Sequence, residues 1–137
     1  MLPLLNGEFG IVKDPEITFT KNGNARLKLR IGAKDRVRGA DGTWTDGQPW
    51  YGDLIVWGKP AQNLAESVDK GDTIVVANAK CESYKWTDKE GNEREGTQYS
   101  INDNGVGAVG VSVRWKPTKM GEKAAVEDIF QATEVPF

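Results

Sequence analysis

The sequence predicts an all-β fold, a five-stranded barrel with one short helix between its third and fourth strands, followed by a short acidic tail. Three observations carry this. Stretches such as Arg26-Leu27-Lys28-Leu29-Arg30-Ile31 alternate cations with branched aliphatics at the period of two that a strand imposes. Turn chemistry, such as Asp14-Pro15-Glu16 and Lys21-Asn22-Gly23-Asn24, separates these stretches. Between two strand-like segments, residues 60–68 repeat their apolar residues at helical spacing instead.

Residues 5–13 form the first strand, in which Gly7 and Gly10 permit bulges or a tight bend. Beyond the Asp14-Pro15-Glu16 break, Ile17-Thr18-Phe19-Thr20 resumes extended structure, and Asn22-Gly23 turns the chain because that pair tolerates positive φ. The basic strand comes next, with Leu27, Leu29 and Ile31 directed to a core and Arg26, Lys28 and Arg30 on the other face. Residues 35–49 read as a polar loop with Gly39, Gly42, Gly47 and Pro49, and Trp44 in its middle. A connection of that length usually carries function.

In the following strand, Trp50 to Trp57, the period puts Tyr51, Asp53, Ile55 and Trp57 on one face and Trp50, Leu54 and Val56 on the other. Pro60 suits the first turn of a helix whose apolar stripe is Ala61, Leu64, Ala65 and Val68, with Lys70-Gly71 as its cation and glycine stop. Thr73 to Lys80 is strand-like and continues to Trp86, Asp88 to Asn92 is a charged hairpin tip, and residues 97–103 return. A further strand lies in residues 106–115. Three strands, a helix and two more strands is the order of an OB-fold, a small Greek-key barrel. The barrel domain is expected over residues 1–116 and the tail over 117–137.

Composition bounds the function. The 137 residues, 38% hydrophobic and 28% charged, suit one domain with a real core. The absence of histidine excludes imidazole-based metal sites and histidine-dependent triads. Carboxylates are scattered through loops without acid–base pairing, so neither an enzyme nor a cofactor is expected. Cys81, the single cysteine, is expected to be a buried structural thiol and fits a reducing cytoplasm. No apolar run is long enough to span a bilayer, and Met1 to Leu5 lacks the length and basic start of a secretory signal.

The net charge of −2 conceals a division. Residues 120–137 set Lys123 against Glu122, Glu127, Asp128 and Glu134, a net −3, which leaves +1 for residues 1–119. Between residues 21 and 38, Lys21, Arg26, Lys28, Arg30, Lys34, Arg36 and Arg38 are accompanied only by Asp35. Such a stripe points to a polyanion more directly than overall charge does.

Several motifs resemble, in order, the bacterial and bacteriophage single-stranded DNA-binding protein family. They are Lys13-Asp14-Pro15-Glu16-Ile17, Asn22-Gly23, Trp57-Gly58-Lys59-Pro60-Ala61-Gln62-Asn63-Leu64-Ala65-Glu66-Ser67, Lys70-Gly71-Asp72 and Tyr84-Lys85-Trp86-Thr87-Asp88-Lys89-Glu90-Gly91. The resemblance covers about residues 7–105. The chain ends in Thr133-Glu134-Val135-Pro136-Phe137, similar to the family's acidic tip ending in Ile-Pro-Phe, and the resemblance makes Glu134, Val135, Pro136 and Phe137 a hook for replication and repair proteins. The tip is less acidic than the family's, and the flexible linker of bacterial members is missing, a form that fits a phage-encoded member.

The resemblance implies sequence-independent binding of single-stranded DNA in replication, recombination and repair, by a homotetramer or dimer in the bacterial or host cytoplasm. Such a binder needs cations along a groove and aromatic faces on which bases stack. Tyr51, Trp57 and Trp86 match the family's stacking positions, Trp44 in its polar loop is a further candidate, and Tyr84 a secondary one. Lys28 and Arg30 lead the expected phosphate contacts, followed by Arg26, Arg36, Arg38, Lys59 and Lys85. Trp50, of opposite parity, is assigned to packing, and Trp115 to packing on the barrel or a neighbouring subunit. Asp53 falls on the aromatic face, where it can pair with a cation and weaken binding. Two alternatives are an RNA-binding accessory, which DNA–RNA competition would reveal, and a protein-interaction module, which predicts no tryptophan quenching by oligonucleotides.

Overall fold

A computed structural model describes residues 1–115 of the chain. In order, the elements are β1 (Leu4–Ile11), β2 (Glu16–Phe19), β3 (Ala25–Ala33), β4 (Arg36–Arg38), β5 (Trp44–Asp46), β6 (Trp50–Trp57), α1 (Lys59–Ser67), β7 (Thr73–Thr87), β8 (Glu93–Ile101) and β9 (Ala108–Val111). Five strands close a ring in which β1 pairs with β3, β3 with β6, β6 with β8, β8 with β7, and β7 with β1 again. The β6–β8 pairing is parallel and the other four are antiparallel. With α1 between the third and fourth ring strands, this is the expected OB-fold barrel.

The alternation read in the sequence places the core. Phe9, Ile11, Leu27, Leu29, Ile31, Leu54, Val56, Ile74, Val76 and Ile101 are buried inside the ring, and Ala61, Leu64 and Val68 join them from the helix and its end. Each large aliphatic so buried contributes roughly 1.5–3 kcal/mol. The β1–β7 register shifts between Leu5 and Gly7, where Ala77 and Asn78 of β7 stand against the single Asn6 of β1, a bulge on β7. The Asn78 N–H donates to Asn6 Oδ1 at 2.8 Å, and Asn78 takes a φ of 57°. There the inward side of β7 changes from Ile74 and Val76 to Ala79.

The structure departs from the sequence reading in five places. Residues 35–49 contain a two-stranded hairpin, β4–β5, with Arg36 opposite Asp46 and Arg38 opposite Trp44. The fifth ring strand begins at Glu93, well before residue 97, because the β7–β8 hairpin pairs all the way from its tip. The helix stops at Ser67 with Val68 extended, while Gly71, at φ 95°, belongs to the next turn, where Asp72 Oδ2 accepts from the Asp69 N–H at 2.8 Å. Cys81 is half-buried, since β7 is leaving the core at that point. Trp115, expected to pack on the barrel or a neighbouring subunit, is not buried against the barrel: it is 61% exposed, with Arg114 Cζ 5.9 Å from its ring centroid.

Trp50 packs as its parity predicts. Its ring lies 5.6 Å from that of Phe9 and 5.7 Å from that of Tyr99, closing one end of the core.

Candidate nucleic-acid interface

The β3–β6 ladder aligns the basic strand with the aromatic one. Arg26 lies opposite Trp57, Lys28 opposite Ile55, Arg30 opposite Asp53 and Gly32 opposite Tyr51. Side chains paired across a ladder share a face, so the cations and aromatics of the two strands form one outer surface. Arg26 Cζ stands 5.8 Å from the Trp57 ring centroid, and Arg30 Cζ 5.7 Å from that of Tyr51. These cation–π contacts are worth about 0.5–1 kcal/mol each at exposed sites. Tyr51 is 51% exposed and Trp57 half-buried. Between them Ile55, buried although outside the barrel core, is flanked by Lys28 and Ser100 in the ladders and floors the surface.

The same face runs on through the parallel pairing. Ile55 aligns with Ser100 of β8, Ser100 with Lys80 of β7, and from Lys80 every second residue of β7 faces outward in register: Glu82, Tyr84, Trp86. Tyr84 and Trp86 are both exposed, and Arg94 stands opposite Trp86. The face thus extends from Arg26 and Trp57 across two more strands and out along the long hairpin.

Not all expected contacts fall on it. Lys85 has the opposite parity to Trp86, lies across from Glu95, and makes an ion pair with Glu93 at 3.7 Å. Arg36, Arg38 and Trp44 belong to the β4–β5 hairpin beyond the end of β3, where Arg38 Cζ is 5.9 Å from the Trp44 ring centroid. Lys59 is exposed at the start of α1, two residues past Trp57. The tip Glu134, Val135, Pro136 and Phe137 lies outside the described residues.

Carboxylates temper the charge. Arg30 Nη1 meets Asp53 Oδ1 at 3.2 Å, so the aromatic face carries a paired, not a free, arginine at that position. Lys13, Asp14, Glu16, Lys28, Arg30 and Asp53 line a recess of about 90 Å³, balancing three cations with three acids. Lys34 Nζ donates to Asp46 Oδ2 at 2.9 Å, and this bond, reinforced by the lysine's charge, holds the Asp46 carboxyl below its usual range. Asp88, at the hairpin tip, is lowered first by a hydrogen bond from Arg94 Nε at 3.0 Å and then by the Asn92 N–H.

Sequence reasoning passed over Lys80, Arg94 and Phe19. The first two share the parity of Tyr84 and Trp86 once the hairpin is counted back from its tip, which was a usable signal. Phe19 is 61% exposed at the end of β2, away from this face: it pairs with Ala25 on the side of β3 that carries Leu27. Beside Tyr51, a second recess of about 190 Å³ is lined by Val12, Gly32, Ala33, Lys34, Pro49 and Tyr51.

Comparison with known proteins gives this geometry a context. The model of the single-strand binding protein family matches residues 9–124. A single-stranded DNA-binding protein of Deinococcus radiodurans is 37% identical over 84 residues, 61% of this chain and 28% of that one. Single-stranded DNA-binding protein 2 of Streptomyces coelicolor is 33% identical over 112 residues, 80% of this chain and 53% of its own length. The matched regions thus span about a quarter and about half of those two relatives. Among solved structures, a Plasmodium falciparum SSB in complex with ssDNA superposes with a TM-score of 0.67 at 13% identity, covering 82% of this chain and 96% of that one. The small single-stranded DNA-binding protein of Streptomyces coelicolor gives 0.63 at 20% identity, covering 82% and 95%. At these identities the superpositions speak to the fold.

Proposed function

The chain belongs to the single-strand binding protein family, and from that premise we propose that it binds single-stranded DNA without sequence preference, protecting it during replication, recombination and repair. The observation that carries the proposal is the β3–β6 register, which sets Arg26, Lys28 and Arg30 across from Trp57, Ile55 and Asp53 with Tyr51 beside them. Single strands offer a charged backbone and unpaired bases, and this face supplies cations and exposed rings at strand spacing. Tyr51 and Trp57 stack bases, Tyr84 and Trp86 extend the platform, and Lys28 with Arg26 follows the phosphates. Arg30 joins them once phosphate displaces Asp53. Arg36, Arg38, Trp44 and Lys59 receive the strand where it leaves the barrel.

The protein works as a binder and not as an enzyme, in the cytoplasm, as a homotetramer. A strand edge supports self-association: among the described residues β9 pairs only with β7, which leaves its other edge without a partner among them. Residues 117–137 act as a tail whose Phe137 tip recruits replication and repair proteins. No helix among the described residues is long and apolar enough to cross a membrane.

Titration of tryptophan emission with oligo-dT at two salt concentrations tests the binding. The expected result is quenching with an affinity that falls as salt rises, since phosphate contacts release counterions. Unchanged emission together with no salt dependence would sink the stacking model and favour a protein-interaction module. Gel-filtration mass with and without dT oligomers tests the assembly, and a monomer in both states contradicts it.

A further inference from the structure

Two of the exposed rings on this face lie over glycines, each directly across the ladder. Gly32 is opposite Tyr51, and Gly96 is opposite Tyr84. A Cβ on Gly32 would stand 2.9 Å from Tyr51 Cδ1 and 3.0 Å from Cε1, with Val12 Cγ1 at 3.2 Å on the other side. A Cβ on Gly96 would stand 2.6 Å from Tyr84 Cζ, 2.8 Å from its hydroxyl and 2.9 Å from Cε1. Real carbon atoms do not approach so closely, so an added methyl has to displace the ring.

Neither glycine is needed for its backbone. Both sit inside strands, and neither has the left-handed φ that favours glycine. A strand glycine lacks side-chain packing and loses more entropy on folding than alanine does. The cost is offset where an aromatic neighbour covers the bare backbone, an arrangement that also fixes the ring. Tyr51 thereby borders the 190 Å³ recess that Gly32 itself lines.

We infer that Gly32 and Gly96 are positioning residues for single-strand binding: each leaves the space in which the tyrosine across the ladder lies, and so sets the angle at which that ring meets a base. This rests on the reading of the face as a DNA platform. The two glycines touch the ligand only through the rings. The atoms displaced by a methyl belong to movable side chains, so alanine at either position preserves the fold while turning the ring away.

The test is a pair of double-mutant cycles read by oligo-dT titration, Gly32→Ala with Tyr51→Ala and Gly96→Ala with Tyr84→Ala, each variant checked by thermal melting. Gly32→Ala is expected to weaken binding about threefold to tenfold, part of what losing a whole stacking platform costs. In the Tyr51→Ala background the same change should have no effect, and the dependence of affinity on salt should keep its slope because no phosphate contact is touched. Gly96, on the exposed hairpin, gives an independent answer should Gly32→Ala disturb the barrel. If the unaltered protein binds dT but the alanine variants bind equally well, or lose as much without the tyrosine as with it, the positioning role is wrong. If the unaltered protein does not bind dT, the reading of the face itself fails, and the inference with it.

Discussion

Arg30 and Asp53 face each other across the β3–β6 ladder, Nη1 to Oδ1 at 3.2 Å, with the guanidinium also 5.7 Å from the centre of the Tyr51 ring. A phosphate approaching this arginine has to compete with the carboxylate. Asp53→Asn should therefore tighten dT binding, while Arg30→Ala should lower the dependence of log affinity on log salt by about 0.7, the increment for one phosphate contact on a single strand. Titrations at four salt concentrations decide it. An unchanged slope in Arg30→Ala means that Arg30 lies off the DNA path.

Lys28 and Lys85 should separate cleanly. Lys28 lies on the face between Arg26 and Arg30, so Lys28→Ala is expected to lower the salt slope by about 0.7. Lys85 points away from Trp86 and pairs with Glu93, so Lys85→Ala should leave both slope and affinity alone and change stability by less than about 0.5 kcal/mol. Equal losses from the two substitutions would show that DNA wraps both sides of the hairpin.

Trp57 and Trp50 divide binding from folding. Trp57→Ala should cost roughly 1–3 kcal/mol of binding per engaged base, with little loss of stability. Trp50, wedged between Phe9 and Tyr99, should cost about 2–3 kcal/mol of stability on truncation while leaving dT affinity intact in the folded fraction. Urea melts beside dT titrations provide the comparison. The reverse pattern overturns the assignment of the two faces of β6.

The hairpin tip should respond to acid. Arg94, followed by the Asn92 and Glu90 N–H groups, lowers the Asp88 carboxyl from its ordinary value of 3.8. A carboxylate depressed in the folded state adds stability that is present above its unfolded pKa and is lost as pH falls through its folded value. The tip should therefore stay ordered down to the ordinary carboxylate range and loosen below it, seen as rising amide exchange of Glu90 and Asn92. Asp88→Asn should loosen it at neutral pH. A titration midpoint for Asp88 at or above 3.8 contradicts this.

Much of this was legible in the chain. The period of two separated Arg26, Lys28 and Arg30 from Leu27, Leu29 and Ile31, and Tyr51 and Trp57 from Leu54 and Val56, because a strand offers each side chain only two directions. The same rule distinguishes Lys85 from Trp86, although the motif that contains both groups them together. Register was not legible. Which cation meets Asp53 depends on how β3 slides against β6, which is decided by packing over the whole ladder. The β4–β5 hairpin escaped notice for a related reason: its pairs, Arg36 with Asp46 and Arg38 with Trp44, are held without a buried face, so no alternation marks them. Gly32 and Gly96 reveal their purpose only when their cross-strand tyrosines are known.

Photocross-linking tests the central claim, that the β3–β6 face and its extension along β7 hold the single strand, most directly. An oligonucleotide carrying 5-iododeoxyuridine would be irradiated on the protein and the modified peptides sequenced. The account predicts cross-links at Tyr51, Trp57, Tyr84 and Trp86. Phe19 serves as an internal control, being an accessible aromatic away from that face, 61% exposed. Cross-links confined to Phe19, with none at Tyr51 or Trp57, would contradict it.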